Sequence, residues 1–176
     1  MSMDYSPPRG EPEVEELQRV HEALKQNGVN FATGVPCGGQ EGTIYHLIND
    51  PEIQHVTANR EGEAVGIAAG ARMGGQTPLV YMQNSGFFDS TNELGSLLQA
   101  YEIPIFYSVT WRGCPGENTP QHIQTGDATQ PVLEDFDVPY RVLGEDPVKE
   151  SIEWLFTQMR SESQPVVLLV PRRWYQ

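Results

Sequence analysis

The stretch ANREGEAVGIAAGARMGG (58–75) decides how the rest of the chain is interpreted. It predicts a helix with two acids, Glu61 and Glu63, in its first turn, where free N–H groups and the positive end of the helix dipole favour a carboxylate. The side chains then shrink to alanine and glycine. Glycine inside a helix costs about 1 kcal/mol relative to alanine, so close approach of another backbone or a flat ligand is a reasonable motive. From these residues alone, an ordinary packed helix and a functional one both remain open.

Segments with strand and helix patterns alternate on both sides of this stretch. Helices are predicted over 14–26, 41–49, 58–75, 90–101, 129–134 and 147–160. Strands are predicted over 29–34, 53–57, 78–82, 103–110, 138–142 and 165–170. This alternation predicts an α/β fold, a three-layer, doubly wound, mostly parallel six-stranded sheet with helices on both faces. We expect 13–176 to form a single domain after a flexible lead (1–12), with a long loop at 111–127 and a short tail at 172–176.

The composition limits the partners that the chain can have. A net charge of −13 and a pI near 4.6 disfavour binding to nucleic acid or to anionic membranes. The sequence has no apolar run long enough to span a bilayer and no signal region at its N-terminus, so we expect a cytoplasmic protein. Cys37 and Cys114 do not stand at metal-ligand spacing, and no metal site is predicted on this chain.

Polar and glycine-rich residues cluster where the predicted strands end. In doubly wound sheets, ligands bind outside the carboxyl ends of the strands, and four segments meet there: 34–39, 58–63, 83–88 and 111–124. Glu61 could be a partly buried acid–base group or simply a helix N-terminal acid, and Glu63 competes with it for either role. Asn84 and Ser85 could hold the polar edge of a ligand or cap the following helix.

Two further side chains in the last of these segments are candidates for substrate chemistry. His122 could donate a proton near neutral pH, or it could only bond backbone groups within a loop. Arg112 could pair with an anionic group of a substrate in a fork geometry, and a surface salt bridge is the alternative. The residues themselves leave both pairs of alternatives open.

Five motifs in a fixed order carry a resemblance to a known family. They are GVPCGG (34–39), ANREGEAVGIAAGA (58–71), VYMQNSG (80–86), VTWRGCPGE (109–117) and PQH (120–122). Together they resemble the pyrimidine-binding half of thiamine-diphosphate decarboxylases, and within that group phosphonopyruvate decarboxylase and the alpha subunit of sulfopyruvate decarboxylase. The match covers about 29–127 well and the remainder loosely.

The resemblance implies a role for each matched residue. Glu61, rather than Glu63, corresponds to the glutamate that bonds the pyrimidine ring of the cofactor and promotes its proton transfer. The residues implied to be catalytic are Glu61 and His122. Those implied to bind the cofactor are Glu61, Pro36 and Asn84. Those implied to bind substrate are Asn84, Ser85, Arg112, Gln121 and His122.

The resemblance also implies an assembly. The family binds the cofactor diphosphate through a metal ion and a Gly-Asp-Gly motif on a second domain, and this sequence has no such motif. We therefore expect an alpha subunit that acts with a diphosphate-binding beta subunit, as α2β2 or a multiple of it. The implied cofactors are thiamine diphosphate and Mg²⁺, with Mg²⁺ held mainly by the partner, and the implied substrate is a small 2-oxo acid similar to 3-phosphonopyruvate or 3-sulfopyruvate.

One motif departs from the family pattern. Leu-Gly-Asn usually follows MQNSG, whereas this chain has Phe87, Phe88 and Asp89. The two rings could narrow the substrate pocket, favour a larger or less polar substrate, or pack against the partner subunit. Two alternatives to a decarboxylase subunit therefore stay open: a carboligase subunit of the same cofactor class, which forms acyloins, and a regulatory subunit without catalysis.

Overall fold

Six parallel strands form the central sheet of the computed structural model, which describes residues 11–171. The strands are β1 (Phe31–Gly34), β2 (Gln54–Thr57), β3 (Pro78–Gln83), β4 (Phe106–Trp111), β5 (Tyr140–Val142) and β6 (Val166–Pro171). Their order is β2-β1-β3-β4-β6-β5, and every neighbouring pair is parallel. β3, β4 and β6 are almost entirely buried because apolar runs suit strands that are covered on both faces. The predicted six-stranded, doubly wound sheet is confirmed.

Helices cover both faces of this sheet and make it three layers deep. They are α1 (Glu11–Gln26), α2 (Glu41–Asn49), α3 (Glu61–Met73), α4 (Asn84–Asp89), α5 (Thr91–Glu93), α6 (Pro120–Asp135) and α7 (Val148–Ser161). One core lies between the sheet and the helices α1, α2 and α7, and it includes Leu24, Leu47, Leu79 and Phe156. The other lies under α3, α4 and α6, and it includes Ala68, Met82, Phe87 and Leu133.

Two predicted segments differ from the structure. The predicted loop 111–127 is wrong from residue 120 onwards, because α6 begins at Pro120 and runs to Asp135. Gly126 and Pro131 interrupt its apolar pattern and hide the helix, although proline at the first helical position is a start signal. The predicted helix 90–101 is divided into α5 and a π-helical segment (Leu94–Gln99), and α4 before it was not predicted.

The ends of the chain bear on two other predictions. Residues 1–10 of the predicted lead and the predicted tail 172–176 lie outside the described residues, and Glu11 and Pro12 belong to α1. Within residues 11–171, no helix is long and apolar enough to cross a membrane.

The sheet has its topological switch between β1 and β3. From β1 the chain crosses to β2 on one side, whereas from β3 it crosses to β4 on the other side. The loops after β1 and β3 consequently diverge and leave a crevice at the carboxyl edge of the sheet, the usual position of a ligand in such folds. This edge carries the start of α3, the start of α4 and the loop after β4.

Candidate functional site

The two acids at the start of α3 have different surroundings. Glu63 is exposed, and its Oε2 accepts a hydrogen bond of 2.9 Å from the backbone N–H of Asn59, which braces the entry into the helix. Glu61 is half-buried, and no hydrogen bond to its carboxylate is found among residues 11–171. One acid thus serves the helix terminus, and the carboxylate of the other has no hydrogen-bonding partner among residues 11–171.

The side chain of Glu61 lies directly against the backbone of Gly86 in α4. A Cβ atom on Gly86 would come within 3.0 Å of the Cγ, Cδ and Oε1 atoms of Glu61. Gly62, the residue after Glu61 in α3, faces the carboxylate of Glu93. A Cβ atom on Gly62 would lie 2.9 Å from Oε1 of Glu93. Only glycine at position 86 leaves the space that the Glu61 carboxylate occupies at the carboxyl edge.

Asn84 is completely buried at the end of β3, where it joins two other elements. Its Nδ2 donates to the carbonyl oxygen of Arg112 at 2.8 Å and to Oγ1 of Thr129 at 3.0 Å. Its Oδ1 accepts from the backbone N–H of Arg112 at 3.2 Å. Both amide hydrogens are therefore engaged within the chain, and the side chain fixes the loop after β4 to α6.

His122 is paired with an acid that the sequence did not single out. Its Nδ1 lies 2.5 Å from Oε1 of Glu117, whose Oε2 accepts the N–H of Gly113 at 2.9 Å. Burial by itself would raise the pKa of Glu117, but the bonds from Gly113 and His122 outweigh burial and lower that pKa below its usual range. The Glu117 side chain is 3% exposed and that of His122 is 23% exposed, so the accessible part of the pair belongs to the histidine.

Glycines let the histidine approach the loop after β4. Gly113 has φ +76°, and a Cβ there would overlap the carbonyl oxygen of His122. A Cβ on Gly126, in the second turn of α6, would in turn overlap the backbone of Gly113. Trp111 completes the contact by donating from Nε1 to the carbonyl oxygen of Gly126 at 3.0 Å. The start of α6 is thus seated on the loop backbone itself.

The loop after β1 is anchored over β3 and β4. The Nε2 of the buried Gln40 donates to the carbonyl oxygens of Met82 at 3.1 Å and Ser108 at 2.8 Å, and Ser108 donates back to its Oε1 at 3.0 Å. Sγ of the half-buried Cys37 lies 3.2 Å from Oγ1 of Thr110. These contacts hold the preceding, half-buried Pro36 at the carboxyl edge.

The remaining predicted substrate residues surround the same edge. Ser85 and Gln121 are exposed in the first turns of α4 and α6, and Arg112 is half-buried between Asn84 and Gly113. The structure therefore brings the predicted residues to the ends of β1, β3 and β4 and the start of α3. Among residues 11–171, no group of three or more His, Cys, Asp or Glu side chains has metal-binding geometry.

The aromatic pair that departs from the family motif is divided between the interior and the surface. Phe87 is 1% exposed in the core, with its ring edge-to-face on Tyr107 at 5.9 Å. Phe88 is half-buried, and Asp89 is exposed 3.5 Å from Arg60. Phe87 thus packs in the core of its own chain, which excludes it from two alternatives that the sequence left open, the substrate pocket and a contact with the partner subunit.

Glu117 and Gln40 are two polar residues of this edge that could not be singled out from the sequence. Glu117 stands in the motif VTWRGCPGE, five residues before His122, but spacing in a loop has no periodic signal. Gln40 follows two glycines with nothing to mark its burial. An acid close to a candidate histidine was the one signal that could have drawn attention to Glu117.

Comparison with known families finds one whose domain spans this edge. Residues 17–126 match the thiamine pyrophosphate enzyme family, in its N-terminal TPP binding domain. The chain belongs to the thiamine pyrophosphate enzyme family. The match contains β1 to β4 and every loop of the carboxyl edge described above, and the resemblance found in the sequence motifs is confirmed.

Relatives of this thiamine pyrophosphate enzyme domain include decarboxylases. The sulfopyruvate decarboxylase subunit alpha of Methanothermobacter thermautotrophicus is 36% identical over 163 residues, which are 92% of this chain and 99% of that protein. The phosphonopyruvate decarboxylase of Streptomyces viridochromogenes is 40% identical over 117 residues, which are 66% of this chain and 30% of that protein. The thiamine diphosphate-dependent 4-hydroxybenzoylformate decarboxylase of Rhodococcus jostii shares the fold, with a TM-score of 0.65 at 15% identity over 90% of this chain and 30% of that one.

The residues at the carboxyl edge fit the cofactor that the family implies. Thiamine diphosphate carries a flat aminopyrimidine ring, and a carboxyl group can form a hydrogen bond with its ring nitrogen. Glu61 supplies a half-buried carboxylate without a protein partner among residues 11–171, and Gly86 supplies a backbone without a side chain beside it. Glu63, which is bonded to Asn59, does not offer the same arrangement.

Proposed function

We propose that this chain is the alpha-subunit-like, pyrimidine-binding component of a two-component thiamine-diphosphate enzyme. The complete enzyme decarboxylates a small 2-oxo acid similar to 3-sulfopyruvate or 3-phosphonopyruvate. The decisive observation is the division of labour at the start of α3, where Glu63 braces the helix and Glu61 keeps an unengaged carboxylate against Gly86. The names of the relatives, sulfopyruvate decarboxylase subunit alpha and phosphonopyruvate decarboxylase, support this choice of substrate class.

In this proposal each residue of the edge has a separate task. Thiamine diphosphate supplies the electron sink for breaking the carbon–carbon bond, and the protein supplies placement and electrostatics. Glu61 holds and moves a proton at the pyrimidine ring nitrogen, and Pro36 shapes the neighbouring loop. Arg112 binds the acidic substituent of the substrate, because a guanidinium group matches sulfonate, phosphonate and carboxylate oxygens.

In this proposal three other residues act on the substrate, and Asn84 acts through the loop that carries Arg112. His122 holds or delivers a proton on the substrate side, and the exposed Ser85 and Gln121 contact the substrate. Asn84 contributes through the loop: its hydrogen bonds to both backbone groups of Arg112 fix the residue whose side chain would meet the acid. This position makes Asn84 a positioning residue in our proposal.

A second subunit completes the enzyme in this proposal. The diphosphate and Mg²⁺ are bound by a beta subunit with a Gly-Asp-Gly motif, in an α2β2 assembly or a multiple of it. The name "subunit alpha" carried by the relative from Methanothermobacter supports a separate partner.

The test compares Glu61→Gln with Glu63→Gln, which each remove one negative charge from the first turn of α3. The chain is mixed with a candidate beta subunit that contains Gly-Asp-Gly, thiamine diphosphate and Mg²⁺, and carbon dioxide release from sulfopyruvate and phosphonopyruvate is measured. We expect Glu61→Gln to lower the rate at least about 10²-fold, within the range for general acid–base groups, and Glu63→Gln to change it little.

Three results would decide against parts of the proposal. Equal activity of wild type and Glu61→Gln would overturn the role of Glu61. Acyloin formation in place of simple decarboxylation, when an aldehyde is added, would identify a carboligase. Failure of the complex to bind thiamine diphosphate in calorimetry would favour a regulatory subunit without catalysis.

A further inference from the structure

A buried carboxylate and a partly exposed imidazole form a pair at the start of α6, and the pair restricts the chemistry of the imidazole. Oε1 of Glu117 lies 2.5 Å from Nδ1 of His122, and the Glu117 side chain is 3% exposed. The lowered pKa of Glu117 keeps it ionised near neutral pH, and an ionised carboxylate can only accept hydrogen bonds. The hydrogen between the two groups must therefore be supplied by Nδ1 of His122.

We propose that Glu117 is a positioning residue that fixes the tautomer and orientation of His122. In the neutral imidazole, Nδ1 then carries the hydrogen, and Nε2 is left as the atom that accepts or returns a proton at the cleft. The inference rests on the proposed function for the part played by His122 in the reaction. The tautomer itself depends only on the geometry of the pair.

The same carboxylate ties the histidine to the residue proposed to bind the acidic group. Oε2 of Glu117 accepts the N–H of Gly113 at 2.9 Å, and Asn84 holds both backbone groups of the preceding Arg112. The loop after β4 is thus fixed from two sides, by Asn84 and by Glu117. A change at Glu117 reaches both the imidazole and the backbone beside Arg112.

Hydrogen bonds also hold the backbones of both residues of the pair. The backbone N–H of His122 donates to the carbonyl oxygen of Thr119 at 2.9 Å, and Oγ1 of Thr125 donates to the carbonyl oxygen of His122 at 3.1 Å. The backbone N–H of Glu117 donates to the carbonyl oxygen of Cys114 at 2.9 Å. Both residues therefore stand on hydrogen-bonded turns, which restrict the movement of the imidazole relative to the carboxylate.

Glu117→Gln is the informative substitution because it keeps the shape of the side chain. Its amide oxygen can retain the bond to the N–H of Gly113, and its NH₂ group then faces Nδ1 of His122. An NH₂ group is a donor, so Nδ1 must become an acceptor and the hydrogen must move to Nε2. We therefore expect the substitution to invert the tautomer while the fold is retained. Asp127→Asn, which changes an exposed acid on α6, the helix that carries His122, is the matched control.

The first measurement is ¹⁵N NMR of the His122 ring in the full chain alone, at a pH where the imidazole is neutral. We expect a protonated Nδ1 in the wild type and in Asp127→Asn, and a protonated Nε2 in Glu117→Gln. A wild-type ring with its hydrogen on Nε2, or the same tautomer in wild type and Glu117→Gln, would overturn the proposal. This measurement needs neither partner nor cofactor, so it stands even if the proposed function fails.

The second measurement is the kinetics of the reconstituted complex. We expect Glu117→Gln to lower kcat by about 10² or more, the range for a positioned acid–base group, with KM changed less than about threefold. A loss confined to KM, or an unchanged kcat in a variant with the inverted tautomer, would contradict a positioning role in proton transfer. Circular dichroism of Glu117→Gln should match the wild type, and an unfolded variant would show that the residue serves the fold.

Discussion

Gly86→Ala tests the placement of Glu61 without altering its charge or its neighbours in the sequence. The added Cβ would fall within 3.0 Å of the Cγ, Cδ and Oε1 atoms of Glu61. Carbon atoms in contact prefer about 3.5–4.0 Å, so the carboxylate must move by on the order of 1 Å. Because those atoms belong to the flexible end of a glutamate, the side chain can swing aside while the backbone stays in place.

The expected signature is a loss of activity without a loss of stability. A misplacement of about 1 Å at a reacting group can lower the rate about 10²-fold. Alanine in place of glycine within α4 favours the helix by up to about 1 kcal/mol, which raises the Tm of a domain of this size by about 2–4 °C. Activity and thermal stability should therefore change in opposite directions.

The assay measures carbon dioxide release by the reconstituted complex and thermal unfolding of the chain alone. Gly70→Ala in α3 is the control, since a Cβ there meets no atom within 4 Å. Size-exclusion chromatography confirms that both variants still assemble with the partner. If Gly86→Ala and Gly70→Ala were equally active, Glu61 would not need its present position, and the reasoning would be refuted.

Three further substitutions test the packing and charge of the structure. Gly113→Ala should lower the free energy of unfolding by more than about 2 kcal/mol, because position 113 combines φ +76° with overlap of the added Cβ on the backbone of α6. The control Gly116→Ala, at φ +95° in open space, should cost about 1–2 kcal/mol. Similar losses for the two variants in urea unfolding would show that the overlap contributes little. Phe87→Ala should cost about 3–5 kcal/mol and Phe88→Ala clearly less, by the same measurement, and the reverse order would place the wrong ring in the core. Burial would raise the pKa of Asp50, but hydrogen bonds from Lys25, the backbone N–H of Glu52 and His21 lower that pKa to about 2. This carboxylate therefore stabilises the fold above about pH 4, and its contribution is lost as the pH falls towards 2. The pKa shift from 3.8 corresponds to at most about 2.4 kcal/mol of stability, which solvent screening reduces to about 1–2 kcal/mol. The difference in unfolding free energy between wild type and Asp50→Asn should shrink as the pH falls from about 4 to 2. A difference that stays constant over these pH values would contradict the lowered pKa.

The sheet could be predicted from the sequence because its central strands are nearly continuous apolar runs. PLVYM (78–82) and PVVLLV (165–170) are typical of strands buried on both faces, and the helical patterns between the strands favour a parallel sheet. The helix α6 could not be predicted in full, since Gly126 and Pro131 interrupt it and its buried side is narrow. Local propensity indicated a loop, and contact with the glycine of a neighbouring loop stabilises a helix there.

Residue patterns alone could predict the site only as a set of loops, and the individual residue roles came from the family resemblance. The topology places their residues at one edge, but the choice between Glu61 and Glu63 depends on which one bonds the backbone of Asn59. The hydrogen bonds of Asn84 and the burial of Phe87 likewise depend on side-chain directions that neither spacing nor periodicity contains. Sequence reasoning therefore identified the edge and its candidate residues, and the structure separated those that face outward from those that hold the edge together.

The two proposed acid–base groups, Glu61 and His122, are each positioned by contact with a glycine of a neighbouring element, which explains the glycines around them. Glu61 lies on Gly86, and the backbone of His122 lies on Gly113. In each case the absence of a side chain brings a functional group closer to a neighbouring element than any other residue would allow. Such contacts add little to stability, since glycine loses more conformational entropy on folding than alanine does. At position 86, where the backbone is helical, the glycine is therefore best explained by the position it gives to Glu61. At position 113, where φ is positive, glycine serves the backbone and the histidine together.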